Sequence, residues 1–236
     1  MAGHSHWAQI KRKKSVLDVK KSQLISKLIN SIIIAAREGN NPETNPKLRN
    51  AIERAKEFKV PLENIERAIS KAEEKDSNLE EVIYEVYFDE GISLLIKAIT
   101  DNKNRTLGEI KHVLNKYNSK LAEPGSVIWN FSEKGVIEIK IEDKEKIFNI
   151  LEFVEDFNEK NFSLVLITSL KNFNLLKDKL KEENVDIISS SIEFLPLNPI
   201  ENISEETKNK LKALIEELLD LEDVEEVYTN LKTLDF

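Results

Sequence analysis

The sequence predicts an α+β protein with a helical bundle at its N-terminus and α/β domains after it. Three observations lead to this class. In the first third, apolar residues recur at the three- and four-residue spacing of amphipathic helices. Beyond residue 77, short alternating segments typical of strands interleave with further helices. The composition, 40% hydrophobic and 33% charged over 236 residues, is that of a globular chain able to bury a core.

Three helices are predicted within the first 77 residues. The first carries an apolar stripe over residues 25–36. Asn45 and Pro46 have the residue types of a helix N-cap and of a first helical position, so they open the second helix. Pro61 opens the third helix, whose inward-facing residues are predicted to be Leu62, Ile65, Ile69 and Ala72.

The remainder of the chain reads as strands and helices in mixed order. The predicted strands are Val82–Phe88, Ile92–Thr100, Val127–Phe131, Val136–Ile141, Phe162–Thr168, Asp186–Leu195 and Val224–Thr229. The predicted helices are Asn104–Tyr117, Glu145–Phe157, Phe173–Glu183 and Glu205–Leu219. The first two strands flank Asp89-Glu90-Gly91, a hairpin turn sequence, and the Pro-containing segment 195–200 is predicted to be a linker.

The charge is divided unevenly along the chain. The total is −8, from 35 basic and 43 acidic residues. Residues 1–72 hold 15 basic and 7 acidic residues and so carry +8, whereas the rest of the chain carries −16. Such a division suggests a basic module that meets a polyanion and an acidic body that does not. The alternative is that these charges are ordinary solvated helix faces.

Several classes of protein are excluded by composition. The chain has no cysteine, which excludes disulfide frameworks, zinc ribbons, iron–sulfur clusters and thiol nucleophiles. The longest apolar run is five residues, Ile32 to Ala36, far short of a membrane span. No apolar stretch follows the charged N-terminus as it would in a secretory signal, so a cytoplasmic location is expected.

The strongest candidate site is a basic run near the N-terminus. It consists of Lys11, Arg12, Lys13 and Lys14, with Lys20 and Lys21 behind them. Adjacent cations repel one another, and nucleic-acid phosphates are their natural partner because each neutralised phosphate releases counterions. Trp7, with His4 and His6 beside it, either stacks on an unpaired base or anchors the N-terminal arm against the bundle. The two histidines lack enough companion ligands, so no metal site is predicted.

A second candidate contact lies in the loop formed by residues 101–106, at a strand-to-helix junction. Its Asn and Thr side chains most simply cap the helix, although the free N–H groups there are also suited to a phosphate. Arg105 of this loop and Arg49 of the second helix complete the candidate set. The chain has no Gly-rich phosphate loop, Gly-x-Ser-x-Gly or His-Glu-x-x-His sequence, so neither catalysis nor a cofactor is predicted.

Several sequence motifs, in order along the whole chain, resemble those of the YebC/PmpR family. They are AGHSHWAQIKRKK at 2–14, AAREG at 35–39, NPKLR at 45–49, NIERAI at 64–69, TDNKNRT at 100–106, GSV at 125–127 and LEDVEEVYTN at 221–230. The resemblance implies three domains, the second and third being ferredoxin-like α/β units. Their expected bounds are 1–77 for the helical basic domain, 78–133 plus 200–236 for a discontinuous domain, and 134–199 for a domain inserted into it. The predicted strand Val127–Phe131 agrees with this, because its closing helix–strand pair comes only at Glu205–Thr229.

The resemblance also implies a function. Bacterial members of that family are probable transcriptional regulators, which implies a cytoplasmic DNA-binding regulator. Their mitochondrial relatives are translational activators, so the alternative is a translation factor associated with the ribosome and its rRNA. The expected partners are DNA or rRNA at the basic domain and a protein, from the ribosome or the transcription machinery, at the acidic domains, with no membrane. A protein-interaction scaffold without nucleic acid is the remaining hypothesis.

Overall fold

A computed structural model describes residues 18–73, 78–159 and 162–232 of the chain. Its helices are α1 (Asp18–Ala36), α2 (Pro46–Glu57), α3 (Leu62–Glu73), α4 (Lys103–Lys116), α5 (Leu170–Glu182) and α6 (Glu205–Leu219). Its strands are β1 (Glu80–Tyr87), β2 (Ser93–Thr100), β3 (Lys120–Leu121), β4 (Phe131–Lys140), β5 (Asp156–Glu159), β6 (Ser163–Thr168), β7 (Ile187–Pro196) and β8 (Val224–Thr229). Short 3₁₀ segments lie at Asp89–Gly91 and Ile128–Asn130, and a longer one at Ile141–Phe153. The predicted α+β class is confirmed.

The helices α1, α2 and α3 pack around their own apolar core. Asn45 is the N-cap of α2, since its Oδ1 accepts a hydrogen bond from the backbone N–H of Leu48 at 3.1 Å. Leu28, Ile32 and Leu48 are fully buried in this core. The prediction for α3 was wrong at one position: Leu62 is 59% exposed because it is the first residue of the helix and points out of the bundle.

The first sheet has the strand order β3-β1-β2-β8 and is antiparallel throughout. On one face α4 and α6 cover it and form the largest buried cluster of the described chain. On the other face Leu95 and Tyr228 pack against Val127, Phe131 and Phe194, which belong to the segment leading into the second sheet and to that sheet itself.

The second sheet has the order β5-β6-β4-β7, is also antiparallel, and comes between β3 and β8 in the sequence. Its apolar face packs under α5 and the long 3₁₀ segment. The three domain ranges given above stay a prediction.

The predicted strand Val127–Phe131 is wrong. Residues Ile128–Asn130 form a 3₁₀ turn, and β4 begins only at Phe131. The carboxylate of Glu85 on β1 accepts hydrogen bonds from the backbone N–H groups of three turn residues, Gly125, Val127 and Ile128. These contacts curl the segment, so a run of residues with strand propensity is not extended.

The predicted helix Glu145–Phe157 is confirmed as helical only as far as Phe153, and its helix type is 3₁₀. Residues Ile141–Phe153 form a 3₁₀ segment, and Asp156–Glu159 pairs with β6 as the edge strand β5. Ile147, Ile150 and Phe153 face the core at intervals of three residues. That interval matches the three residues per turn of a 3₁₀ helix better than the 3.6 of an α-helix.

Candidate nucleic-acid interface

Most of the predicted interface precedes the described part of the chain. The residues of the N-terminal set that lie outside the described ranges are His4, His6, Trp7, Lys11, Arg12, Lys13 and Lys14. The backbone of Lys20 and Lys21 lies in the first turn of α1. Contact of all these residues with nucleic acid therefore stays a prediction. The structure describes side-chain contacts only for the cations that follow Lys21.

Arg49 on α2 holds a loop of its own bundle. Its Nε donates to the carbonyl oxygen of Pro42 at 3.0 Å, and its Nη2 donates to that of Glu43 at 2.9 Å. The guanidinium thereby closes the loop between α1 and α2. A phosphate at this position would compete with the two loop carbonyls.

Arg105 is likewise engaged inside the chain. Its Nη2 lies 2.9 Å from Asp101 Oδ1 and 2.8 Å from Asp223 Oδ2, while the side chain stays 46% exposed. The hydrogen bond to Asp223 is the main reason that the pKa of Arg105 is raised. The capping interpretation of this loop is confirmed, because Asn102 Oδ1 accepts from the Arg105 N–H at 3.1 Å.

Asp223 joins two of the sequence motifs. Besides Arg105, its Oδ2 accepts from Thr100 Oγ1 at 3.0 Å and from Thr106 Oγ1 at 2.6 Å. Burial opposes ionisation of this carboxyl, but the hydrogen bonds from Thr106, Arg105 and Thr100 outweigh it and lower its pKa. The loop at 100–106 is thus tied to the start of β8 by a buried carboxylate.

The basic bundle also meets the acidic body directly. Lys27 of α1 is buried, and its Nζ donates to the carbonyl oxygens of Leu219 and Val224 at 2.7 Å each. These carbonyls lie at the end of α6 and the start of β8. Burial lowers the pKa of Lys27, against the attraction of acids around it, Glu225 first.

Two acidic residues of β8 complete this contact. Glu225 is buried and accepts a hydrogen bond from Ser31 Oγ at 3.0 Å. Burial raises the pKa of the Glu225 carboxyl to about 7, against the attraction of Lys27 and Arg54. Arg54 of α2 pairs with the neighbouring Glu226.

A further contact joins the bundle to the second sheet. Lys177 of α5 is buried, and its Nζ pairs with Glu53 of α2 and lies 3.1 Å from Asn50 Oδ1. Sequence reasoning missed all of these contacts. No sequence signal marked Lys27 and Ser31: they lie one turn apart on the side of α1 opposite its apolar stripe, where a solvated cation is expected.

Three lysines of the bundle have exposed side chains at or near helix ends. Lys56 and Lys71 lie in the last turns of α2 and α3, and Lys59 follows α2. The sequence could have indicated these lysines by their position at the C-terminal ends of helices, where the helix dipole favours cations. With the run at 11–21, they are the cations best suited to an external polyanion.

A cleft of about 550 Å³ between α2 and α3 is a poor phosphate site. Arg49 and Lys56 line it, but so do the acids Glu43, Glu53 and Glu66. The other lining residues are Pro42, Ile52, Leu62, Ile65 and Ile69. Acids outnumber cations, so an anion is not favoured there.

The described residues offer neither a metal centre nor a membrane span. Within 18–73, 78–159 and 162–232, no group of three or more His, Asp or Glu side chains is arranged to hold a metal ion. Among the helices of those same ranges, none has the length and apolar character needed to cross a bilayer.

Comparison with known proteins identifies relatives along the whole chain. The profile of the TACO1/YebC protein N-terminal domain matches residues 5–75, and that of the TACO1/YebC second and third domain matches residues 79–231. A Thermotoga maritima protein named probable transcriptional regulatory protein is 43% identical over 98% of this chain and 93% of its own length. A protein of Caldanaerobacter subterraneus with the same designation is 42% identical over 100% of both chains. The crystal structure of a conserved hypothetical protein from Aquifex aeolicus superposes with a TM-score of 0.86 at 38% identity, covering 98% of each chain.

Proposed function

Because this chain belongs to the TACO1/YebC family, we propose that it is a cytoplasmic regulator of gene expression that binds DNA through its basic N-terminal segment. The designation of its bacterial relatives as probable transcriptional regulatory proteins supports the regulatory role. The same designation favours a binding protein over an enzyme.

One observation carries the assignment of the contact surface to residues 11–21. Most described cations of the bundle are already engaged: Lys27, Arg49 and Arg54 with groups inside the chain, and Lys47 and Arg67 with surface acids. Between residues 11 and 21 the sequence holds six basic residues and one acid, Asp18. A cluster of such density attracts phosphate groups and contributes to binding through counterion release.

The charge of this segment is tested by its salt dependence. Lys11→Ala, Lys13→Ala and Lys14→Ala together are expected to weaken binding to duplex DNA. The slope of log K against log salt should flatten by about 0.7–0.9 for each phosphate that the variant no longer neutralises. Fluorescence anisotropy over a series of salt concentrations measures both quantities.

A matched control removes the same number of charges elsewhere. Lys140, Lys144 and Lys146 have ammonium groups at the surface of the second sheet region, each in an ion pair, and surface pairs add little stability. Their triple alanine variant should keep the wild-type slope. Equal slopes in wild type and the N-terminal variant would show that residues 11–14 are not the contact surface.

The nature of the nucleic acid is tested in cells. Crosslinking the protein and sequencing the bound nucleic acid should enrich promoter DNA. Enrichment of rRNA without promoter DNA would contradict the transcriptional role and point to a factor acting on the ribosome.

A further inference from the structure

Two exposed aromatic side chains lie together at one end of the first sheet. Tyr87, the last residue of β1, is 49% exposed, and Trp129 in the 3₁₀ turn before β4 is 65% exposed. Tyr87 Oη donates to the carbonyl oxygen of Ser126 at 3.1 Å, and Trp129 Nε1 donates to the same oxygen at 2.7 Å. Both rings are therefore tethered by their polar atoms to one point, with much of their apolar surface in water.

The turn that carries Trp129 is held by a buried carboxylate. Glu85, two residues before Tyr87, accepts from the N–H groups of Gly125 and Val127 at 2.5 Å each and from that of Ile128 at 2.9 Å. Gly125 has φ +87°, a conformation that favours glycine in this turn. Because the clamp exists before any ligand binds, ordering the two rings adds little to the cost of binding.

In the segment 120–130, which pairs with the end of β1 and carries Trp129, one cation and one acid balance. Lys120 on β3 is the register partner of Tyr87, so its exposed side chain stands next to Tyr87 on the same face of the sheet. Glu123 is the one acid between 120 and 130. The Glu85 carboxylate is compensated by the three N–H groups. A ligand of this patch would therefore be held mainly by its flat apolar surface, with one cation available for an anionic group.

We propose that Tyr87 and Trp129 form a stacking platform for the unpaired bases of a single-stranded nucleic acid, with Lys120 contacting an adjacent phosphate. A paired base has no free face, so a duplex does not fit this chemistry, whereas a single strand presents both free bases and phosphates. The inference rests on the proposed function, since the N-terminal segment would supply most of the attraction for the backbone. The platform adds a second contact, in which the rings bind the faces of the bases and not the charged phosphates.

The test compares a single-stranded oligoadenylate with a sugar–phosphate oligomer of equal length that lacks bases. The full-length protein should bind the oligoadenylate more tightly. Trp129→Ala and Tyr87→Ala should each weaken oligoadenylate binding about tenfold, a typical effect of losing one aromatic stack. The salt slope should stay unchanged, because no phosphate contact is removed. Trp129→Phe, which keeps a ring, should recover most of the affinity.

A matched control removes an exposed aromatic ring from another region. Phe148 lies in the 3₁₀ segment before β5 and is as exposed as Trp129, so Phe148→Ala should bind like wild type. Thermal melting of each variant verifies that the fold is intact. Tyr87→Ala and Trp129→Ala are independent, so one of them can carry the test if the other fails to fold.

Fluorescence gives a second readout. The chain has two tryptophans, Trp7 and Trp129, so the emission that is lost in Trp129→Phe belongs to Trp129. Oligoadenylate and oligodeoxyadenylate should both quench the Trp129 emission, whereas the baseless oligomer should not. The ratio of the quenching by the two oligonucleotides reports which sugar is preferred.

The possible failures are distinguishable. The platform would be overturned by unchanged affinity in both alanine variants, or by equal binding of the baseless oligomer. The proposed function would still stand if the triple variant of Lys11, Lys13 and Lys14 flattens the salt slope. If the wild-type protein binds neither duplex nor single strand, both proposals fall. Capture of an apolar peptide by the rings without any oligonucleotide binding would also overturn the platform.

Discussion

Glu85, Glu90 and Asp223 each accept three hydrogen bonds from groups inside the chain. Glu90, for example, accepts from the N–H and Oγ of Ser204 at 3.0 and 2.7 Å and from Thr207 Oγ1 at 2.7 Å. The bonds from Thr207 and Ser204 lower the pKa of Glu90. The −16 of the acidic segment is thus more than a solvated surface charge, because several of its carboxylates fasten loops and helix starts.

Gly135 on β4 permits a close approach that any side chain would block. A Cβ atom there would lie 2.3 Å from Phe173 Cδ2 and 2.9 Å from Thr168 Cγ2. Because Phe173 of α5 is fully buried against the sheet, its ring has little room to move. Gly135→Ala is expected to lower the free energy of unfolding by about 1–3 kcal/mol, as overpacking typically does. Urea denaturation measures the change.

Gly108 supplies the matched control. It lies in α4, and a Cβ atom there would meet nothing within 4 Å. Gly108→Ala should therefore stabilise the protein by up to about 1 kcal/mol through helix propensity. Equal stability of Gly135→Ala and wild type would contradict the close packing of Phe173 on β4.

At the scale of elements, Asn45 connects the end of α1 to the start of α2. Its Oδ1 caps α2 through the Leu48 N–H, and its Nδ2 donates to the carbonyl oxygens of Ala35 and Gly39 at 2.7 and 2.6 Å. One buried side chain thus satisfies groups at the facing ends of two helices. The angle between α1 and α2 depends on this amide.

Asn45→Ala is expected to cost more than the loss of a simple cap. It removes the cap of α2 and also leaves the carbonyls of Ala35 and Gly39 without this donor, a total of about 2–3 kcal/mol. Ser169→Ala removes only the cap of α5, formed with the Asn172 N–H, and should cost about 1 kcal/mol. Denaturant unfolding of both variants tests this. Equal losses would show that the two bonds from Nδ2 contribute nothing.

At the scale of the whole molecule, the helical bundle is joined to the rest of the chain by buried charged groups. Lys27 reaches the carbonyls of α6 and β8, Arg54 pairs with Glu226, and Lys177 pairs with Glu53. Removing one member of a buried pair leaves the other uncompensated, which is costly. The relative position of bundle and sheets therefore depends on charge as well as on apolar contact.

This junction should make stability depend on pH. In the folded chain the pKa of Glu225 is raised to about 7 from the ordinary value of 4.5. The folded state thus holds this proton more tightly than the unfolded state. As pH rises from about 4.5 to 7, the contribution of Glu225 to stability falls. The side chains that face it are Lys27, Ser31, Arg54 and Glu226.

Glu225→Gln removes the titrating group while the amide oxygen still accepts from Ser31. The stability of the variant relative to wild type should therefore increase between pH 5 and pH 8, as measured by urea denaturation at both values. Glu152→Gln, at an exposed carboxyl of the second sheet region, should keep the wild-type pH profile. If the Glu225 variant also follows the wild-type profile, the carboxyl does not titrate in this range.

The sequence by itself determined the elements whose bonds are local. The bounds of α6 and β8 and the cap at Asn45 agree with the prediction, because helix periodicity and capping depend on residues a few positions apart. The cap predicted in the loop 101–106 is formed by Asn102. The α+β class follows from the same local patterns. The family could be identified from the sequence as well, because each of its motifs is a continuous run of residues.

Only the tertiary structure decided the partners that are remote in sequence. Residues 127–130 curl into a turn because Glu85 on β1 accepts hydrogen bonds from the amides of Val127 and Ile128, and no local pattern contains those bonds. The +8 of the N-terminal third could be counted from the sequence. Whether a given cation is buried at a junction, as Lys27 is, or left exposed, as Lys59 is, depends on which surface folds against it. Burial and pairing are properties of the packed chain, and they decide which charges and aromatic rings stay available to a partner.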